Sequence, residues 1–418
     1  MISYDVIILG GGAAGMAAAI ACGEAAPEAK VLLLEKKDRL GKKLLATGNG
    51  RCNIGNALAA PGHYHSVAGD AASFVQPALR AFPPASNRQF FQSLGVVYRQ
   101  EEEGKEYPYS NQASAVLDCL RQRLAALSVQ VQCGAAVERI LPQKQGGFLL
   151  QSPAGQFTCQ NLLLTLGGVA SPQLSHSQGF EGLVRPLGHT VSPLFPALVQ
   201  VKTANQLPKA LKGTKLPAEI RLYQQEQEIA AAAGELLFTE YGISGPPVFQ
   251  ISRWASANAA RKQPLPQRVA LDFLPEFSLP RVEQLLWERQ QTLGGSLEQF
   301  LTGWLPKRLG QQLLKQLGYG PLSRPASALT QPQLAALAKA MKGLQLPVTG
   351  VTGWQHAQVM AGGFNLAEFD PCTLASRLQP GLYAAGEVLD IDGDCGGYNL
   401  TWAWSSARLA ARSILGGQ

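Results

Sequence analysis

The residues best placed for chemistry form a cradle, not a catalytic triad. Gly10, Gly12 and Gly15 stand in G-x-G-x-x-G spacing, with Ala13 and Ala14 between the last two. Such spacing permits a tight turn at Gly10, close backbone approach to a pyrophosphate at Gly12, and close helix packing at Gly15. Glu35 follows twenty residues after Gly15, the distance at which an acid accepts hydrogen bonds from both hydroxyls of an adenosine ribose. An acid there disfavours a 2′-phosphate, so the first site suits a dinucleotide other than NADP. The cradle has a counterpart near the other end of the chain, GLYAAGEVLDIDGDCGGYN (Gly381 to Asn399). A start that needs so distant a partner suggests an FAD oxidoreductase with its substrate domain inserted between. Hydride would then leave flavin N5, and a protein group would supply a proton. Cys395, Tyr398, Cys52 and Tyr107 are the candidate donors, each with a duller role as packing.

The elements around these residues agree. Asp5 to Leu9 is a buried parallel strand by type. An Ala-rich helix should run from about Ala13 to Ala25, its first N–H groups facing the phosphates. Lys30 to Leu34 should be the second strand, leading through Glu35 into Lys36. The stretch Gly41 to Asn56 is too rich in Gly, Asn and Thr for a helix or regular strand. It reads as a loop along the flavin, carrying Lys42, Thr47, Asn49, Gly50, Arg51, Cys52 and Asn53. Leu162 to Leu166 reads as another buried strand, after which Gly167-Gly168 lets the backbone approach the cofactor. Gly381 to Ala385 is a strand ending at Gly386-Glu387. Gly396-Gly397-Tyr398-Asn399-Leu400 should open a last helix, Thr401 to Leu415, whose first N–H groups could face the flavin N1–C2=O edge.

Composition and charge bound the rest. Hydrophobic residues make up 46% and charged residues 16% of 418, a well-buried globular balance with room for two or three domains. Seven cysteines without a CxxC pair argue against disulfides and zinc, and for a reducing cytosol. The five histidines show no metal-binding motif. The apolar run Val6 to Cys22 is broken by three glycines and lacks a basic lead, so it is read as neither signal nor membrane span. The net charge is +7. Residues 201–345 hold 17 Lys+Arg against 10 Asp+Glu, and the remainder hold 19 of each. The whole excess thus lies in the middle, either for solubility or for an anionic partner such as nucleic acid.

Several segments together resemble the BaiN/RdsA-type family of NAD(P)/FAD-dependent oxidoreductases, which also contains an aminoacetone oxidase. They are GKKLLATGNGRCN, EGKEYPYSNQAS (Glu103 to Ser114), LLLTLGGVASP (Leu162 to Pro172), PLFPALV (Pro193 to Val199), LLFTEYGISGP (Leu236 to Pro246) and GEVLDIDGDCGGYNLTWAWSSA (Gly386 to Ala407). The resemblance spans nearly the whole chain. It implies an α/β, Rossmann-like FAD-binding domain of glutathione-reductase type, with an inserted β-barrel-like domain and a small helical subdomain. The expected boundaries are 1–192 and 351–418 for the FAD domain and 193–350 for the insert, helical at about 279–341. Strands are expected at Leu198 to Lys202, Glu219 to Tyr223 and Val269 to Phe273. Val137 joins the residues expected at the cofactor, and Glu387 resembles the acid near the flavin's ribityl or phosphate region. Three positions depart from the pattern: Glu240 for the usual His, Gly55 for a common Thr, and Val169-Ala170-Ser171 for K-S-Y or similar.

Three functions remain open on these grounds. One is a reductase in which NAD(P)H-reduced flavin reduces a conjugated C=C bond, with uracil in ribosomal RNA as a candidate. Another is an oxidase of a small amine such as aminoacetone. The third is a non-catalytic FAD-containing RNA-binding protein. No second G-x-G-x-x-G marks a separate NAD(P) domain, so that donor would bind transiently.

Overall fold

The computed structural model describes residues 3–416 apart from 128, 176–179, 205 and 294. The chain divides into two compact units, Met1–Pro196 with Gln358–Gln418, and Ala197–Ala357. The expected crossings were at 192/193 and 350/351.

The first unit is built on one sheet. Its strands are β1 (Ser3–Leu9), β2 (Val31–Leu34), β3 (Gln130–Gln132), β4 (Arg139–Pro142), β5 (Phe148–Ser152), β6 (Gly155–Leu164) and β7 (Leu382–Ala384). The order is β3-β2-β1-β6-β5-β4, with β7 also paired to β6. β3, β2, β1, β6 and β7 run parallel, while β5 is antiparallel to β6 and β4 is antiparallel to β5. Register is set by apolar runs: Ile8 sits beside Leu33 and Leu163, and Leu164 beside Ala384. β2 is buried at all four positions, as a central parallel strand must be. β6 therefore carries β1 on one edge and shares the other between β5 and β7.

The first helix (Ala13–Ala25) packs against the last (Tyr398–Ile414). Its alanines and Gly15 let it be buried nearly all round. The last helix brings two buried indoles. Trp402 Nε1 donates to Gly386 O at 3.1 Å, and Trp404 Nε1 to Ile54 O at 2.8 Å. The last helix starts three residues before the expected Thr401, immediately after left-handed Gly397.

The second unit is a closed six-stranded antiparallel barrel with helices attached. Round the barrel come Val201–Thr203, Gly242–Ser244, Gln227–Phe238, Lys215–Gln224, Gln267–Asp272 and Leu344–Val351. Alternation along Lys215–Gln224 sends Leu216, Ala218, Ile220 and Leu222 inward. Helices Leu279–Thr292, Lys307–Gln316 and Gln331–Gly343 add Leu286, Leu313 and Leu337 to the same core. Residue 294, inside the stretch expected to be helical, lies outside the described residues. Among the described residues no helix is long and apolar enough to cross a membrane.

Candidate active site

The turn after β1 is dictated by contact. Gly10 has φ +115°, and a Cβ there would stand 2.3 Å from Thr165 O. A Cβ on Gly15 would lie 1.8 Å from Gly10 O. At Gly12 an added Cβ meets nothing within 4 Å, so the surface there is open. Met16 is the first residue whose N–H finds an acceptor in the helix, Gly12 O at 3.0 Å. The N–H groups of Ala13, Ala14 and Gly15 precede it, and no side chain caps them. Open space before uncapped N–H groups fits a pyrophosphate.

Glu35 completes that end. Its Oε2 accepts from Gly11 N at 2.7 Å and its Oε1 from Lys37 N at 2.7 Å. Both bonds fix the carboxylate and leave each oxygen a further lone pair for a ribose hydroxyl. Lys36 lies in the same turn. Ala135 N donates to Glu35 O and Gly134 N to Lys37 O, which brings the loop carrying Val137 beside this end. Lys42 pairs with Asp38 four residues earlier.

The Gly/Asn loop is a broken 3-10 turn, Leu44–Gly50. Thr47 is extended, and Gly48, Asn49 and Gly50 are left-handed. Thr47 Oγ1 donates to Leu44 O at 2.7 Å, and Cys52 N to Thr47 O at 3.0 Å. Gly50 faces open space. The Arg51 side chain turns away from it: its guanidinium lies 3.9 Å over the Tyr107 ring, Nε donates to Asn111 Oδ1 at 3.1 Å, and an ion pair forms with Glu101. Arg51 thus holds the loop in place by its side chain. Asn53 Oδ1 accepts from Glu106 N at 3.3 Å. Gly55 packs on the last helix, and a Cβ there would stand 3.1 Å from Thr401 Oγ1. Thr401 fills the space that a Thr at 55 would need, and its Oγ1 accepts from Asn56 N.

The returning segment closes the site. Glu387 accepts from Lys43 Nζ at 3.0 and 2.8 Å, Met360 N at 2.9 Å and Gly168 N at 3.2 Å. Gly168 has no room for a Cβ, which would stand 2.9 Å from the Glu387 carboxyl, and Gly167 before it has φ +66°. Gly386 N is held by Ser406 Oγ at 3.0 Å. Thr401 is the first residue of the last helix to bond back, to Gly397 O at 3.0 Å, so the N–H groups of Tyr398, Asn399 and Leu400 stand before it. The Asn399 amide is spent within its own loop: it accepts from Gly393 N at 2.8 Å and donates to Gly393 O at 2.8 Å and Asp394 O at 3.3 Å.

The four candidate acids hold their protons tightly. Burial pushes the Cys52 thiol up to about 12 against a Thr47 hydrogen bond. Burial also pushes Cys395 up to about 11, with Lys105 pulling the other way. Tyr107 is raised by burial against the pull of Arg51, and Tyr398 by burial and then by Asp394.

Residues 4–413 match the family described as HI0933-like protein Rossmann domain. The chain belongs to the HI0933-like family. It is an FAD-dependent oxidoreductase built on a Rossmann-type FAD-binding domain. This HI0933-like protein is 38% identical to a 3-dehydro-bile acid Δ(4,6)-reductase of Clostridium scindens, over 97% of this chain and 98% of that one. It is 29% identical to a ribosomal RNA dihydrouridine synthase of Escherichia coli, over 99% and 98%. It is also similar to the structure of a 3-ketosteroid-Δ4-(5α)-dehydrogenase from Rhodococcus jostii, with 14% identity and a TM-score of 0.47 over 99% of this chain and 96% of that one.

Residues outside the sequence reading also build the candidate site. Lys43, not its neighbour Lys42, reaches Glu387. Thr165 Oγ1 donates to Gly10 O at 2.9 Å and braces the turn. Asp390, fully buried, accepts from Ser66 Oγ at 2.8 Å, Val67 N at 2.9 Å and Ala68 N at 3.0 Å. Only Thr165 and Asp390 carry any local signal, as polar residues within apolar runs. Glu240 is an exposed residue paired with Lys212 at 2.8 Å. Among the described residues no cluster is placed to hold a metal ion.

Proposed function

We propose that this HI0933-like protein reduces a C=C bond conjugated to a carbonyl group, drawing electrons from NAD(P)H. The observation that carries this reading is the end-to-end likeness, at 38% identity, to a reductase whose name specifies the Δ(4,6) bonds of a 3-dehydro-bile acid. The site chemistry agrees with it. Gly12, Ala13 and Ala14 would hold the pyrophosphate, and Glu35 with the Val137 loop the adenosine end. Thr47, Asn49, Gly50 and Asn53 would line the ring, and Glu387 with Lys43 the ribityl region. Bound there, FAD supplies a hydride at N5. The N–H groups of Tyr398, Asn399 and Leu400 would stabilise negative charge on the pyrimidine edge.

Uracil in ribosomal RNA is the second substrate to consider, because its C=C bond is also conjugated to a carbonyl. The dihydrouridine synthases favour it, as does the charge excess of residues 201–345. Against that, Lys212, Lys215, Arg221, Arg268, Arg281, Lys307 and Lys342 are each paired with an acid of the same unit. The test mixes FAD-loaded protein anaerobically with NADPH, and then with a 3-oxo-Δ4,6 bile acid or with ribosomal RNA lacking dihydrouridine. Bleaching by NADPH and recovery of oxidised flavin with one C=C bond reduced per flavin is the expected result. A flavin that aminoacetone reduces and only oxygen reoxidises, with the oxygen released as peroxide, sinks the reductase reading in favour of an amine oxidase.

A further inference from the structure

His63, Asp394 and His65 form a set at the front of the last helix that the cradle does not use. Tyr64, between the histidines, is extended at φ −118°, ψ 144°, which sends its two neighbours to one side. There both imidazoles meet one carboxylate. His63 Nδ1 lies 2.9 Å from Asp394 Oδ2, and His65 Nε2 lies 2.8 Å from Asp394 Oδ1. A carboxylate only accepts, so both ring nitrogens carry hydrogens there. Backbone pairing locks the arrangement, with Gly393 opposite Tyr64 and Asp394 N donating to His63 O at 3.0 Å.

The set touches the start of the last helix directly. The His63 ring stacks on Tyr398, first residue of the last helix, with centroids 4.4 Å apart and planes at 25°. Tyr64 Oη donates to Tyr398 O at 3.1 Å. Asp394 is largely buried, while the His63 side chain is 38% exposed. Among the described residues His63 Nε2 meets no hydrogen-bond partner. An imidazole oriented through Nδ1 by a buried carboxylate, with Nε2 free, is the arrangement of a general acid or base. The surrounding groups are Cys395 from the preceding loop, Tyr398 from the helix, Tyr64 and His65 from the paired segment, and Glu103 and Lys105 beyond Tyr398 and Cys395.

Resting on the reductase reading above, the geometry assigns to His63, oriented by Asp394, the proton that the reduction places on the second carbon. The reductant is a reduced flavin. Hydride leaves the reduced flavin, which is thereby oxidised, and forms a C–H bond at the carbon β to the carbonyl, while the π pair shifts to the α carbon. That pair takes the proton from Nε2. The N–H bond breaks, its electrons stay on the imidazole, and solvent reloads it. The buried thiols and phenols of the site hold their protons more tightly than their exposed counterparts, which leaves the donation to the imidazole.

The experiment uses the FAD-loaded full chain, reduced anaerobically with dithionite. Reoxidation is followed with a 3-oxo-Δ4,6 bile acid, and separately with ferricyanide, which needs no proton on carbon. H63Q is expected to slow the bile-acid reaction about 100-fold or more, to leave the ferricyanide reaction and flavin content unchanged, and to remove the fall in rate at alkaline pH. D394N is expected to move that fall to lower pH. Without substrate, the His63 titration seen by NMR in ¹⁵N-histidine protein should move down in D394N. A full-speed H63Q with the wild-type pH profile overturns the assignment, as does a His63 titration that D394N leaves in place. A wild type whose reduced flavin is reoxidised neither by the bile acid nor by ribosomal RNA lacking dihydrouridine overturns the reductase reading instead, and the titration still tells whether Asp394 holds His63.

Discussion

Lys43 Nζ stands 2.8 Å from Glu387 Oε2, joining positions 344 residues apart within one unit. The two partners do not depend on each other equally. Without Lys43, the carboxylate keeps Gly168 N and Met360 N. Without Glu387, the ammonium and both buried N–H groups lose their acceptor. Lys43→Met should therefore cost about 1 kcal/mol of stability, and Glu387→Ala about 3 kcal/mol. Urea unfolding of the two variants checks the order, which reverses if the lysine is the anchor.

Two glycines of one motif should fail differently. Gly15→Ala forces a Cβ onto Gly10 O and should cost about 3 kcal/mol even in flavin-free protein. Gly12→Ala meets no protein atom, so its flavin-free melting should match wild type while flavin affinity falls roughly tenfold or more. Melting curves and flavin titrations separate the two.

Glu106 should make the protein lose stability as pH rises. Burial raises its carboxyl from 4.5 to about 7, opposed by Arg88, and among the described residues its Oε1 has no hydrogen-bond partner. A group raised in the folded state contributes fully below its unfolded value and loses that contribution as pH climbs through the folded one. Stability should thus decline between about pH 4.5 and pH 7, by on the order of 2 kcal/mol. Glu106→Gln should flatten that decline and exceed wild type at pH 8. Equal slopes for the two proteins would refute the point.

Cysteine reactivity should avoid the site. Cys52 and Cys395 are held as thiols by burial, while Cys372 is exposed. Iodoacetamide at pH 8 should modify Cys372 first, read by peptide mass mapping. Early labelling of Cys395 would reopen the case for a reactive thiol there.

Legibility followed sequence distance. The Gly10–Gly15 turn and Glu35 could be read because strand, turn, helix and acid are contiguous, and each glycine has one steric reason to be there. Lys43 could not be told from Lys42, since only the return of Glu387 distinguishes them. His63 and Asp394 lie 331 residues apart, and neither stretch announces the other. Asn399 divides in two. Its place at a helix start points to a cofactor contact through its N–H, whereas only the structure shows that its side-chain amide ties Gly393 and Asp394 into their loop. The basic middle was visible as a count, whereas pairs such as Lys215–Glu235 and Lys342–Asp272 depend on elements meeting in space.

β6 has a consequence for how the protein is made. On the ribosome, β1 and β5 can join it early, but on the edge away from β1 the partner for Leu162, Leu163 and Leu164 is β7, which emerges only after the whole barrel. At roughly 5–20 residues per second, that strand end waits ten seconds or more without its neighbour. The barrel and its helices hold their own core in one continuous stretch and can fold during the wait. In the cradle proposed above cofactor loading comes last, because Glu387 and the last helix are the last of its parts to be made.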